Sequence, residues 1–419
     1  MSRKMIRTGF VALATCLSAS SSGAAILHVP GDYATIQEAV DAAASGDRIE
    51  VSSVPVAEDV SIVDKDLQVV AVASPIVVRS FSWTNPNAVQ TPIGGYVEGF
   101  DVTGDVTMNG LPLSFTATDL NVDGVIDIAA EALSEDTPVQ VIRCTSLEGI
   151  SAVGSGIGTP NVARVTISEC ETGGSITARS FVGRVLGCVV PNGSIRVFSR
   201  WGSDANDNVV TGGGIHLVGD AYLTANHNVV RGGGIVAGRA SDLEAEHNSI
   251  FDCPVGIDFG GDLKGGGRFV GNLIVRCYQG IISPHGSLDA YSNTIVDCFY
   301  GLVSETDFSL IEQNIVVDCE VGMALYYPAR VVACNDVWNN VFNWYGPDPT
   351  GMNGNISVDP LFCDATEDDY TLSTPSGCLP GNHPDGAACG IIGALGEGCS
   401  GPVPTVDTSW GRVKSRFQE

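Results

Sequence analysis

The residues with the most chemical potential in this 419-residue chain are its Asp-Cys pairs, Asp297-Cys298 in NTIVDCFYGL (293–302) and Asp318-Cys319 in NIVVDCEVGM (314–323). A thiolate beside a carboxylate is a start toward a metal centre or an activated nucleophile, and both require their groups to converge on one point. The spacing argues against convergence. Cys253, Cys277, Cys298 and Cys319 each lie five residues after an Asn, and the Asn residues recur as Asn208, Asn228, Asn248, Asn272, Asn293, Asn314 and Asn335, at intervals of 20, 20, 24, 21, 21 and 21. An aliphatic marker after a Gly-containing turn keeps a mean period near 22, from Val106, Ile126 and Ile150 through Ile215, Ile235 and Ile257 to Met323.

Such a period is too short for a strand, a crossover helix and a second strand, but it suits three short strands and three turns, one rung of a parallel β-helix. Rungs stack about 4.8 Å apart, so the four cysteines predict a file of buried free thiols along a rod rather than a chelate. Gly213, Gly233 and Asn340 hold the same position in other rungs, as a small-residue site would. The seven Asn predict a ladder at a corner, where Asn tolerates the left-handed backbone and its amide reaches the next rung. In Gly214-Ile215-His216-Leu217-Val218 the alternation points Ile215 and Leu217 inward and His216 outward. The predicted fold is all-β, a single-stranded, right-handed parallel β-helix of about 12 or 13 rungs, the hand following the rule for parallel crossovers.

The remaining segments are placed around that rod. Residues 1–25, with Arg3, Lys4 and Arg7 before an apolar run and small residues, have the order of a secretory signal peptide. Residues 26–52 form an N-terminal cap with a helix over about 35–44, opened by the capping box Thr35-Ile36-Gln37-Glu38. The β-helix spans 53–344, with 76–100 and 131–140 breaking the period as projecting loops. A loop-rich C-terminal cap covers 345–400, where Cys363, Cys378, Cys389 and Cys399 form two disulfides of open connectivity, and 401–419 is a flexible basic tail. No later run reaches the ~20 apolar residues of a transmembrane helix. With 48 acidic against 21 basic residues the net charge is −27, a field that repels nucleic acid and anionic membranes.

The segments HVPGDYATIQEAVDAAASGDRIEV (28–51), the NxIVxxCxxGI repeats, NDVWNN (335–340), NGNISVDPLFC (353–363) and CGIIGALGEGC (389–399) resemble secreted bacterial right-handed β-helix proteins of the pectin-lyase-like superfamily. That resemblance implies the fold; the superfamily's functions run from lyases, hydrolases and esterases to adhesins and non-catalytic binders. The paired Asp with Arg-Pro-Trp of pectin methylesterases and the paired Asp with Gly-His-Gly of polygalacturonases are absent. Pectate lyases, with an Arg base and Asp-bound Ca²⁺, leave a weaker signature. Asp119-Leu-Asn121-Val-Asp123-Gly124 resembles the start of an EF-hand loop, but the twelfth position is Ala130 where a bidentate Glu is needed. The stretch is read as a turn in rung register, with Asp119 in the Asn position and Ile126 at the marker.

Candidate catalytic residues reduce to one outward strip. His216, Val236, Asp258 and Ile282 follow the marker on successive rungs, with Arg239, Lys264 and His285 on or near the adjoining loops. Trp83, Tyr96, Trp201, Tyr326, Tyr327, Trp338, Trp344 and Tyr345 would give sugar-stacking platforms where exposed. The expectation is a secreted or cell-surface β-helix that binds extracellular polysaccharide or a cell-surface partner through a long rigid face, without a catalytic set, cofactor or metal. The alternatives are a polysaccharide lyase, with Ca²⁺, or a glycoside hydrolase using the strip, and an adhesin or structural spike.

Overall fold

A computed structural model describes residues 23–85, 93–110, 112–132, 138–156, 164–238, 242–260 and 265–400. The core of the predicted signal peptide, the basic tail, and the candidates Arg239 and Lys264 lie outside them. The chain winds as a parallel β-helix with three faces. In a representative turn, Ile215–Gly219 lies on what we term the second face, Tyr222–Thr224 on the first face, and Val229–Arg231 on a short third face; Ile235–Gly238 then stacks on Ile215–Gly219.

The first and second faces merge into one 27-stranded sheet, because the 12-residue strands Ser175–Leu186 and Ile195–Asn206 run through both without a break. The short face is a separate 13-stranded sheet. The solenoid completes about 16 turns, more than the 12 or 13 expected, since the first turns lack a strand on the short face and the pattern continues through segments read as loops. Residues 80–84, 93–98 and 138–142 are strands, and Trp83 is buried against Phe81 and Phe115. There large aromatics fill the bore that Ile, Val and Ala fill elsewhere, which hides the period from a search for aliphatic markers.

Two corners set the register. At the first, Asn208, Asn228, Asn248, Asn272, Asn293, Asn314 and Asn335 are fully or almost fully buried. Each Nδ2 donates to the Oδ1 of the next Asn at 2.9–3.0 Å and to a carbonyl of its own stack, and the file ends on Asn355. Upstream the same position holds Cys188, whose N–H donates to Asn208 Oδ1 at 2.9 Å, and before it Cys170 and Cys144, all with buried free thiols. The residue before the ladder is left-handed at Asp119, Arg143, Glu169, Asp207, His227 and His247, with φ between 49° and 60°. Asp119 therefore stands one residue short of the ladder, and Leu120 occupies the position assigned to it; the acid prefers the left-handed site, where its side chain leaves the core. The rings of His227 and His247 stack at 5.4 Å.

At the second corner Cys253, Cys277, Cys298 and Cys319 are buried free thiols, and the Cys319 N–H donates to Asn340 Oδ1 at 2.8 Å. The N-terminal helix, Ile36–Ala42, is capped by Thr35, which accepts from the Glu38 N–H, and by Glu58, which accepts from the N–H groups of Ile36 and Gln37.

The C-terminal segment lies along the side of the rod, not across its end. Phe362, Tyr370, Leu372 and Ile392 pack on Leu273, Val296 and Ile315, outward residues of the short face. The segment is fixed by Arg276 to Asp368 at 2.6 Å and by the Ala394 N–H to Thr294 Oγ1 at 2.8 Å. Its disulfides are Cys334–Cys389 and Cys363–Cys399. This corrects the expected set. Cys334 occupies the left-handed position before Asn335, where side chains leave the core, and so reaches Cys389; Cys378 is a free thiol donating to Asp336 Oδ2 at 3.2 Å.

Candidate ligand-binding surface

On the second face, Val236 pairs in register with His216 on one side and Asp258 on the other, and Asp258 with Ile282. His216 and Asp258 are thus two rungs, about 10 Å, apart. Burial, and then the Arg196 charge, hold the His216 imidazole below its usual pKa, while burial raises that of Asp258. His285 sits in the turn between the second and first faces, its carbonyl accepting from Ser283 Oγ at 3.0 Å. Among the described residues no hydrogen bond or ion pair joins His216, Asp258 and His285.

A different group assembles where the second face meets the first. Most rungs change face through a turn, but Ser175–Leu186 and Ile195–Asn206 continue through as single strands whose register shifts at the crossing, where Arg200 and Trp201 stand against Phe181, so these side chains are left on an open edge. There Phe181 and Trp201 stack with ring centroids 5.5 Å apart and 25° between planes, and Trp201 is 67% exposed. Alternation along the strand carries Arg196, Phe198 and Arg200 to the outside, and Arg179 of the adjacent rung lies over the Phe198 ring at 5.4 Å. Tyr222, 49% exposed, is the register partner of Gly202 immediately after Trp201. Together these make a ridge of aromatic planes with guanidinium groups beside it.

Beyond Tyr222 the first face turns into an acid–arginine network. The Tyr222 hydroxyl donates to Glu244, Arg268 bridges Glu244 and Glu246, and Asp204 pairs with Arg184 at 3.0 Å and accepts from Thr224 Oγ1 at 2.9 Å. Asp289, the next rung after Arg268, is pushed above the usual carboxylate range by burial, against the pull of Arg268 and Arg330. The other sugar-platform candidates divide by position. Trp83 is core, Trp338 and Trp344 are partly buried, and Tyr326 and Tyr345 form an exposed tilted pair 5.4 Å apart at the last rung.

Trp201 was visible as an isolated aromatic, but Phe181 and the three arginines were missed. Their signal is legible only when residues are read down the columns of the register rather than along the chain. Comparison of the chain with protein-family models, with curated proteins and with solved structures gives no match.

Proposed function

We propose that the protein is a secreted or surface-exposed β-helix of the pectin-lyase-like kind that holds an extended polysaccharide across the edge formed by Phe181, Trp201 and Tyr222. The observation that carries this reading is the stacked, solvent-facing Phe181–Trp201 pair. An indole two-thirds exposed gains nothing from the core, whereas a pyranose ring offers its apolar C–H face to such a plane and keeps its hydroxyls in water. The platform stands on two continuous strands, with a local register shift but no turn at the crossing, which spares the ordering cost that a loop-borne platform would incur on binding. Two disulfides, and the absence of any helix long and apolar enough to cross a membrane among the described residues, accord with an extracellular setting.

Affinity electrophoresis of the mature protein through gels holding soluble polysaccharides tests the reading. Trp201→Ala should weaken retention about tenfold, the equivalent of ~1.4 kcal/mol, with the circular dichroism spectrum unchanged. Equal retention of variant and parent on every polymer, or retention of neither, refutes it. Unsaturated product absorbing in the ultraviolet would replace simple binding with a lyase.

A further inference from the structure

The second face is closed at one end of the rod and open at the other. At the N-terminal end its first strand, Asp59–Val63, pairs in register with Ser80–Thr84 on one side. The Gln37 side-chain amide of the capping helix closes the other side: its Oε1 accepts from the Ser61 N–H at 2.8 Å, and its Nε2 donates to the Ser61 carbonyl at 3.1 Å. At the C-terminal end residues 353–358 close two of the three faces. Over the first face the Cys334 N–H donates to Asn353 O at 3.0 Å and Asn355 Nδ2 to Val332 O at 2.9 Å; over the short face the Val337 N–H donates to Ile356 O at 3.1 Å. The last strand of the second face, Phe342–Tyr345, pairs with Val321–Leu325 and, among the described residues, with no strand beyond it. Phe342 and Tyr345 are each 57% exposed, and Trp344, register partner of the fully buried Met323, is only partly covered. Such an edge presents backbone donors and acceptors together with apolar side chains, a template for one more strand.

We propose that this edge is a docking site for residues 410–417 of the same molecule, which add to Phe342–Tyr345 as the final strand of the second face. The place where the chain leaves the described structure favours this occupant. Cys399 O accepts from the Thr374 N–H at 3.0 Å, Thr374 O accepts from Asn382 Nδ2 at 2.7 Å, and the adjacent His383 Nε2 lies 3.0 Å from Gly354 O, so the exit stands beside the last turn. Length suffices as well: residues 401–409 reach ~30 Å when extended, against the ~10 Å that separates packed faces. Pattern and charge then fit the edge. In Trp410-Gly411-Arg412-Val413-Lys414-Ser415-Arg416-Phe417, strand alternation puts Val413 and Phe417 on one side and Arg412, Lys414 and Arg416 on the other. With the apolar side laid over Trp344, the three cations face outward among acids of this end. Glu305 follows the strand Tyr300–Ser304, Glu320 precedes Val321–Leu325, and Asp348 follows Phe342–Tyr345. The added strand gives the C-terminal end the closure that Gln37 gives the N-terminal one, and keeps a second copy from pairing there.

Hydrogen–deuterium exchange across Phe342–Tyr345 tests the proposal in three proteins: the mature chain, the same chain ended at Ser400, and the full-length double variant Val413→Pro/Lys414→Pro. Two successive prolines remove one N–H from each side of the added strand, whichever way it faces. Exchange should be about tenfold faster in both altered proteins than in the parent, and a synthetic peptide of residues 405–419 should return the shortened chain to the parent's rate. If the shortened chain does not fold, the full-length double variant alone decides. Equal exchange in parent and double variant overturns the proposal. Protection in the parent that disappears on dilution, with a dimer in sedimentation, assigns the edge to a second copy and overturns it too.

Discussion

The carboxyl groups beneath the C-terminal segment should make the protein more stable in mild acid than at neutral pH. Asp336 is fully buried on the short face and its pKa is raised to about 6 by burial, although the Val358 N–H and the Cys378 thiol both donate to it. Asp318 at the second corner is partly buried and likewise raised to about 6, chiefly by burial and against the Asn339 amide that donates to it at 2.6 Å. From an unfolded value near 3.8 each shift is about 2 units, worth ~3 kcal/mol if fully expressed. For Asp318, which still meets solvent, about half that is a sounder figure. A raised native pKa means that the native state holds its proton more tightly. The associated stability is fully present below pH ~4, is lost as pH climbs through ~6, and is absent above it. The opposing groups are Asp59, Asp119, Asp364 and Asp368, whose pKa values are lowered, that of Asp368 chiefly by Arg276; their contribution is present at neutral pH and lost only below the ordinary carboxylate range. Urea denaturation midpoints between pH 4 and 8 should therefore fall by the equivalent of several kcal/mol between pH 4.5 and 7, then level. Asp318→Asn keeps an oxygen for the Asn339 amide and removes the charge. It should raise stability at pH 7.5 by about 1 to 2 kcal/mol, remove part of the slope, and change little at pH 4.5. Stability that climbs steadily from pH 4.5 to 7.5, or an Asp318→Asn variant with the parent's slope, would refute the reasoning.

Within the ladder, Asn272→Ala removes the acceptor for the N–H and Nδ2 of Asn248 and the donor to Ala245 O and Asn293 Oδ1, all inside the core. A cost of about 3 to 5 kcal/mol in chemical denaturation is expected, and a loss under 1 kcal/mol would show that the ladder is decorative. All eight free cysteines of the described residues are buried, so a thiol reagent should label none of them in the native protein and all eight in denaturant without reductant. Rapid labelling under native conditions would contradict the closed corners.

What the linear sequence conveys well is whatever repeats at the rung interval. The Asn ladder and the Cys253–Cys319 file could be found because a buried corner accepts few residue types, and a buried amide must find its partner in the next rung. The same logic fails where the bore changes its filling. Phe81, Trp83, Phe100 and Phe115 occupy positions that Ile and Val hold elsewhere, and so 76–100 read as a loop. It fails also for Cys334, whose left-handed backbone turns the thiol outward to Cys389; one residue later, on the ladder, a thiol would have been buried and unpaired, as Cys188 is. The disulfide partner was decided by a one-residue phase, which cysteine spacing within the cap does not reveal.

The binding edge was obscure for a related reason. Repetition is imposed by the interior, where each turn must pack on the last, but the outward positions are under no such demand, and a column such as Thr177, Arg196, His216, Val236, Asp258 has no common chemistry. Recognition therefore has to be sought in departures from the pattern that surrounds it. In this chain many arginines stand beside acids of a neighbouring rung, and face changes ordinarily occur at turns. Both habits are broken together on the two rungs that carry Arg179, Phe181, Arg196, Arg200 and Trp201, where an aromatic pair also stacks in the open. None of these breaks helps the fold: an exposed indole and solvent-facing guanidinium groups contribute little to stability. Their coincidence on one open edge is what a contact with something outside the molecule requires, and it is why Trp201 and the arginines, rather than the Asp-Cys pairs, are the residues to change first.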